Sequence, residues 1–251
     1  MVADIVLQKA GKSFGPTAAL RPTELSIPNG QYVLLLGSNG AGKTTLLRLI
    51  AGVSQPSTGH VLICGQDLHD DKTGRAKIGL LSHYSMLYED LTAEENLLFF
   101  AQLYGLEETQ LKIEQSLELM GLIQFRNKKV NGFSRGMRQR LAIARATIHN
   151  PSIILLDEPY TGLDLTARKT LQNLLIQLKA LGHTFLMTTH RLEDAAPLAD
   201  RVIIIESGNL IFDQVWQGSG LSLSNYLNPV RNENCDFSST YPDYIFQRSS
   251  Y

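Results

Sequence analysis

The segment Gly37-Ser38-Asn39-Gly40-Ala41-Gly42-Lys43-Thr44 fits G-x-x-x-x-G-K-[ST], a spacing suited to holding phosphates. Its glycines let backbone N–H groups turn inward where a Cβ would obstruct the approach. Lys43 is expected to reach the β- and γ-phosphates of a nucleoside triphosphate, and the Thr44 hydroxyl to hold Mg²⁺. The segment from Gly37 to Thr45 therefore reads as a nucleotide-binding loop rather than an ordinary glycine turn.

A second constellation lies downstream. Ile153-Ile154-Leu155-Leu156 is a buried-type strand that ends in Asp157-Glu158. Ligands of parallel sheets sit at the carboxyl ends of strands, where this pair would emerge. Asp157 is placed to join the Mg²⁺ shell and Glu158 to polarise an attacking water.

These residues need elements to hold them. The apolar run Tyr32–Leu36 reads as a strand entering the loop, and Thr45–Ala51 as a helix leaving it, whose N-terminus favours anions. Residues 1–83 read mainly as strands, at Ile5–Leu7, Leu25–Ile27, Val61–Ile63 and Ile78–Leu81. Residues 84–150 read as a helical insertion. Thr92-Ala93-Glu94-Glu95 is a capping box, a second helix spans 108–120, and a third runs from Arg135 to about Ile148. Strands and helices then alternate through Ile205, which argues for a parallel α/β sheet. The stretch 218–251 is polar and aperiodic and reads as a poorly ordered tail after a domain over 1–217, with docking of its aromatic residues on a partner as the alternative.

Composition narrows the function. The formal net charge of −1 over 251 residues offers no basic field for nucleic acid. Two cysteines make no secreted disulfide framework, and Cys64 reads as a small buried apolar residue. No stretch approaches the ~20 apolar residues that span a bilayer. The N-terminus lacks the charged-then-apolar order of a secretory signal.

At this point the chain resembles the ATP-binding cassette (ABC) ATPases over roughly residues 3–215. Phe133-Ser134-Arg135-Gly136-Met137 is similar to the family's signature. Glu158-Pro159-Tyr160-Thr161-Gly162-Leu163-Asp164 resembles the segment from the catalytic carboxylate to a dimer-contacting aspartate. His190, in Thr188-Thr189-His190, resembles the switch histidine, and Phe14 sits where an aromatic stacks on adenine. The resemblance implies a P-loop NTPase core with an antiparallel β subdomain and a helical subdomain. It also implies ATP hydrolysis with Mg²⁺, with Lys43, Glu158 and His190 as the catalytic set.

Ser134 and Gly136 open a helix whose free N–H groups suit a γ-phosphate. The resemblance places that helix far from its own phosphate loop and so implies a head-to-tail dimer. Ser134, Arg135, Gly136, Met137 and Asp164 would then complete the site of a second subunit. A membrane-spanning permease would hold the pair at the cytoplasmic face of a bacterial inner membrane, and no nucleic acid is expected.

Two positions depart from the commonest family pattern. His83 stands where a glutamine usually touches Mg²⁺ and the attacking water, and Arg135 and Met137 replace the commonest signature residues. Mg²⁺ prefers oxygen, so His83 is expected either to sense the γ-phosphate and water or to pack at the subdomain junction. His83, the run Leu87–Leu97 and the Phe-Ser-Arg-Gly-Met signature resemble the subgroup that exports haem for bacterial cytochrome c maturation. Drug and polysaccharide exporter motors share most of that pattern. A soluble ABC protein acting on nucleic acid or ribosomes is the rival class; it usually carries two cassettes or a long coiled-coil insertion.

Overall fold

Two long strands, β1 (Ala3–Phe14) and β2 (Thr17–Pro28), pair antiparallel in the computed structural model, which describes residues 3–70, 72–82 and 84–216. The short apolar runs Ile5–Leu7 and Leu25–Ile27 pair with each other near one end of these strands, and Ala10, Leu20 and Thr23 are buried further along. Cross-strand pairing therefore extends them well past what alternation indicates.

After a turn at Asn29 and Gly30, β3 (Tyr32–Leu36) is buried at every position and leads into α1 (Lys43–Ile50). The chain then returns to the first sheet with β4 (Thr58–Ile63) and β5 (Gln66–Asp67), giving the order β2-β1-β4-β5. Cys64 lies just past β4 in a left-handed conformation (φ 47°), half-buried, with Sγ 3.6 Å from Asp4 Oδ1 and 3.7 Å from Ser152 Oγ. It is thus a turn residue that packs, half-buried rather than fully buried, against the core of β1, β2, α1 and β4 while its thiol meets polar groups.

Next come β6 (Ile78–Leu81) and three helices, α2 (Ala93–Leu103), α3 (Thr109–Leu119) and α4 (Arg135–Thr147). The capping box forms as expected: Thr92 Oγ1 accepts from Glu95 N at 3.1 Å while Glu95 Oε2 accepts from Thr92 N at 2.7 Å. The chain then runs through β7 (Ile153–Asp157), α5 (Leu165–Ala180), β8 (Thr184–Thr188), the single turn α6 (Leu192–Ala195), β9 (Arg201–Glu206) and β10 (Asn209–Val215).

The second sheet has the order β10-β9-β3-β8-β7-β6, with every neighbouring pair parallel except β10 with β9. Side chains alternate across a strand, so the residues of β3 divide between two cores. Val33 and Leu35 join the core formed with β1, β2, α1 and β4. Tyr32, Leu34 and Leu36 join the one formed with α2 to α5. The parallel sheet is thereby covered on both faces, which its continuous apolar strands require. His83 and the stretch 218–251 lie outside the described residues.

Candidate functional site

The loop between β3 and α1 is bent into backbone shapes that only glycine adopts without cost. Gly37, Gly40 and Gly42 have φ of 153°, 79° and 112°. A Cβ on Gly37 would lie 2.2 Å from the Ile205 carbonyl oxygen, and one on Gly42 would lie 2.5 Å from that of Ala19. The loop is thus pressed against β9 and β2 while its other side stays open.

Gly42 is the N-cap of α1 and supplies no side-chain cap, so the first N–H groups of the helix are not satisfied by a capping side chain. Lys43 is buried, and its ammonium donates to the carbonyl oxygens of Gly37 at 2.7 Å and Ser38 at 2.9 Å. Burial lowers the Lys43 pKa, against the opposing influence of Glu158 and Asp157. Ala41, itself buried, donates its N–H to the Ser38 carbonyl at 3.2 Å and closes the turn.

The carboxylates meet the loop from β7. Thr44 Oγ1 donates to Asp157 Oδ2 at 3.2 Å, and Thr188 Oγ1 donates to Asp157 Oδ1 at 2.7 Å. Glu158 has a left-handed backbone (φ 53°), unusual for a residue with a side chain. Its N–H donates to Thr188 Oγ1 at 3.0 Å and to the Thr188 carbonyl at 3.2 Å. The carboxylate receives the His190 N–H on Oε2 at 3.1 Å, while His190 Nε2 lies 3.2 Å from Oε1.

Burial raises the Glu158 pKa, opposed by the His190 N–H and the Lys43 charge. Burial likewise lowers the His190 pKa, with Lys43 adding to it. A glutamate whose proton affinity is raised is a better proton acceptor near neutral pH.

Asn39, Gly40, Gly42, Lys43, Thr44, Thr45, Asp157, Glu158 and His190 all line one cavity of about 320 Å³, together with Ala19. The protein oxygens at its mouth, from Thr44 and Asp157, are hard donors. Among the described residues no cluster of three or more His, Cys, Asp or Glu is arranged to hold a metal. Such a pair suits Mg²⁺, which commonly takes one or two protein oxygens and completes its shell with substrate phosphates and water.

The signature residues lie elsewhere. Ser134 caps α4, its Oγ accepting from Met137 N at 3.2 Å, and Asp164 caps α5, its Oδ1 accepting from Ala167 N at 2.7 Å. Ser134, Arg135, Gly136, Met137 and Asp164 line a second cavity of about 250 Å³ that shares no lining residue with the first. The Arg135 guanidinium covers Gly162, where a Cβ would sit 2.1 Å from its central carbon. A link between the two regions is the Gln139 amide, which donates to the Pro159 carbonyl at 2.8 Å.

Phe14 ends β1, is 58 % exposed with Lys12 Nζ 5.4 Å from its ring centre, and does not line the phosphate-loop cavity. Ala19 and the hydroxyl of Thr188 are site features that the motifs do not reveal. Ala19 enters by the packing of β2 against Gly42, and Thr188 by standing opposite Asp157 in the β7–β8 register.

Comparison with known proteins agrees with this geometry. The sequence model of the family described as "ABC transporter" matches residues 20–161. The chain is 43 % identical over 198 residues to the ABC transporter ATP-binding protein NatA of Bacillus subtilis, covering 77 % of this chain and 80 % of that one. It is 36 % identical to the Nod factor export ATP-binding protein I of Paraburkholderia xenovorans, covering 83 % and 70 %. It is 35 % identical to the spermidine/putrescine import ATP-binding protein PotA of Bacillus cereus, covering 82 % of this chain but 64 % of that longer protein.

Among solved structures, the ATP-binding cassette MJ0796, in a dimeric post-hydrolysis state bound to ADP and Pi, superposes with a TM-score of 0.77. The identity is 30 %, over 86 % of this chain and all of that one. The chain belongs to the ABC transporter family and is an ATP-binding subunit, an ATPase.

Proposed function

We propose that this ATPase is the motor of a membrane exporter, acting as a head-to-tail dimer beneath a membrane-spanning permease. The observation that carries the reading is the convergence of Lys43, Thr44, Asp157, Glu158 and His190 on one cavity, with the signature residues gathered around a separate one. A site divided in this way is complete only when a second copy brings its signature helix to the first copy's phosphates. The dimeric, ADP- and Pi-bound state of MJ0796 supports that arrangement.

In the proposed site the phosphate-loop N–H groups and Lys43 hold the β- and γ-phosphates. Thr44 and Asp157 hold Mg²⁺, which when bound neutralises charge on the transferring phosphoryl group. Glu158 orients and deprotonates the attacking water, and His190 faces the γ-phosphate from the neighbouring strand end. Phe14 stacks on the adenine. In the partner's site Ser134, Arg135, Gly136 and Met137 contact the γ-phosphate and Asp164 contacts the dimer seam. Loss of the γ-phosphate removes the contacts that bridge the two copies and loosens them.

Support for a permease comes from the surface beside the insertion. Tyr84, Met86, Tyr88, Leu103 and Tyr104 are all more than 40 % exposed there. The Tyr88 and Phe99 rings meet edge-on there with centroids 5.1 Å apart, and exposed apolar groups in contact mark an interaction surface. No helix among the described residues is long and apolar enough to cross a membrane, and in this reading the permease is the spanning partner. That partner places the motor on the cytoplasmic face of a bacterial inner membrane.

Export is favoured by the Nod factor protein, which is named for export and is matched over 70 % of its length; PotA, named for import, is matched over 64 %, and the name of NatA carries no direction. Haem as cargo is the finer reading. It rests on the sequence likeness of His83, residues 87–97 and the Phe133–Met137 signature, and none of these relatives is named for haem.

The test is sedimentation of the Glu158→Gln protein with and without ATP, beside ATPase assays of Ser134→Arg. Glu158→Gln is expected to dimerise only with ATP, and Ser134→Arg to bind nucleotide without turning it over. Full turnover by Ser134→Arg refutes the divided site, and full turnover by Glu158→Gln refutes Glu158 as the base. Mass spectrometry of the co-purified membrane partner identifies the cargo class.

A further inference from the structure

The geometry points to Thr188 as a positioning residue of the ATPase site. Its hydroxyl orients the Asp157 carboxylate toward Thr44 and fixes the Glu158 backbone, and so sets the affinity for the divalent cation that accompanies ATP. This rests on the proposal that Thr44 and Asp157 hold that cation.

Thr188 ends β8, directly opposite Asp157 of β7 in the parallel register, and is fully buried. Phe185, Leu186 and Met187 before it are apolar, so packing alone gives no reason for a hydroxyl at this depth. A buried hydroxyl is costly unless its hydrogen-bonding capacity is used. Here the single hydroxyl hydrogen goes to Asp157 Oδ1 at 2.7 Å. With that oxygen held, Oδ2 is turned to Thr44 Oγ1 at 3.2 Å.

The oxygen of the same hydroxyl accepts from Glu158 N at 3.0 Å, and the Thr188 carbonyl accepts from it at 3.2 Å. A single residue on the neighbouring strand thus orients one carboxylate and holds the next residue in its left-handed conformation. Valine has the shape of threonine without the hydrogen. It would fill the space, leave Oδ1 without this donor and free the carboxylate to rotate away from Thr44.

Outer partners of a ligating carboxylate commonly change metal affinity or activity by about tenfold or more when removed. The full chain is compared as wild type, Thr188→Val, Thr188→Ser and Asp157→Asn. Mn²⁺ is titrated by electron paramagnetic resonance with the non-hydrolysable analogue AMP-PNP, fluorescent ATP binding is measured in EDTA, and melting is followed separately. Thr188→Val is expected to weaken Mn²⁺ binding and lower kcat by about tenfold each while binding nucleotide in EDTA like the wild type.

Thr188→Ser lacks the methyl group but keeps the hydroxyl. It is expected to hold Mn²⁺ with near-native affinity even where its melting temperature falls. Wild-type Mn²⁺ affinity in Thr188→Val overturns the inference, as does equal weakening in the serine and valine variants, which would mark a packing effect. Asp157→Asn separates the two levels of argument. Its retaining native Mn²⁺ affinity overturns the cation site itself, whereas its losing Mn²⁺ while Thr188→Val does not overturns only the role of Thr188.

Discussion

His190 touches Glu158 twice, through its backbone N–H to Oε2 at 3.1 Å and through Nε2, 3.2 Å from Oε1. The two residues follow adjacent strands, β7 and β8, so the parallel register sets their separation before any ligand arrives. Burial moves both toward their neutral forms, raising the carboxyl pKa and lowering that of the imidazole. A carboxylate held in this way is prepared to take a proton, at a cost to the fold.

That cost is measurable. A carboxyl whose folded pKa is raised binds protons more tightly in the folded state, so its stabilising contribution is greatest at low pH and is lost as pH rises through the folded value. Glu158→Gln removes the buried charge and keeps the shape. We expect it to melt a few degrees above the wild type at pH 7.5, with the gap closing toward pH 4. Calorimetry across that range checks this, and a lower melting temperature for Glu158→Gln at pH 7.5 would contradict it.

Lys43 carries the opposite charge in the same cavity, bonded to the Gly37 and Ser38 carbonyls. A charge-assisted hydrogen bond contributes about 1.5–3 kcal/mol. Lys43→Ala is therefore expected to weaken ATP binding by roughly ten- to a hundredfold. Equilibrium titration with a fluorescent ATP analogue reads this directly, and native affinity would remove Lys43 from the phosphate site.

Asn96 of α2 is fully buried and ties down the loop before its own helix. Its Nδ2 donates to the carbonyls of Tyr88 at 3.0 Å and Thr92 at 2.9 Å, and its Oδ1 accepts from Tyr88 N at 2.8 Å. That loop carries the exposed ring of Tyr88 beside the proposed permease surface. Asn96→Ala removes the acceptor of Tyr88 N, while the Tyr88 and Thr92 carbonyls keep the N–H groups of Leu91 and residue 96, and an expected loss of about 1–3 kcal/mol follows. Urea unfolding measures that loss. Basal ATPase should persist while stimulation by the permease in proteoliposomes falls, and undiminished stimulation would separate the loop from coupling.

His149 offers a pH test away from the site. Its ring stacks on Tyr104 with centroids 3.9 Å apart, and its Nε2 lies 3.2 Å from the Ile78 carbonyl oxygen. Burial lowers its pKa from 6.5 to about 4, with the nearby Arg145 charge adding to the shift. The unfolded chain binds this proton first, so the contribution is present above pH 6.5 and is lost as pH falls toward about 4. The linked change is at most about 3 kcal/mol. His149→Gln should flatten the stability profile between those pH values, read by denaturant unfolding at fixed pH steps; an unchanged slope would show that this histidine does not control it.

The sequence by itself determined what local spacing can encode. The glycines and Lys43 of the phosphate loop, the Asp157-Glu158 pair at the end of an apolar strand, and the Thr92–Glu95 cap each depend on neighbours a few residues away. The backbone geometry of the glycines and of the cap follows from residue type. Tertiary structure decided what strand order alone can bring about. The sheet order β3-β8-β7 sets the phosphate loop beside both carboxylates and puts Thr188 opposite Asp157. Pairing of β3 with β9 presses Gly37 against the Ile205 carbonyl.

The helical faces divide in the same way. Periodicity marks α2 as apolar, yet Leu97 and Ala101 are buried while Phe99 and Leu103 are exposed, because α3 and α4 cover only one side of it. No local preference distinguishes those two sides, since burial depends on which elements arrive from distant parts of the chain.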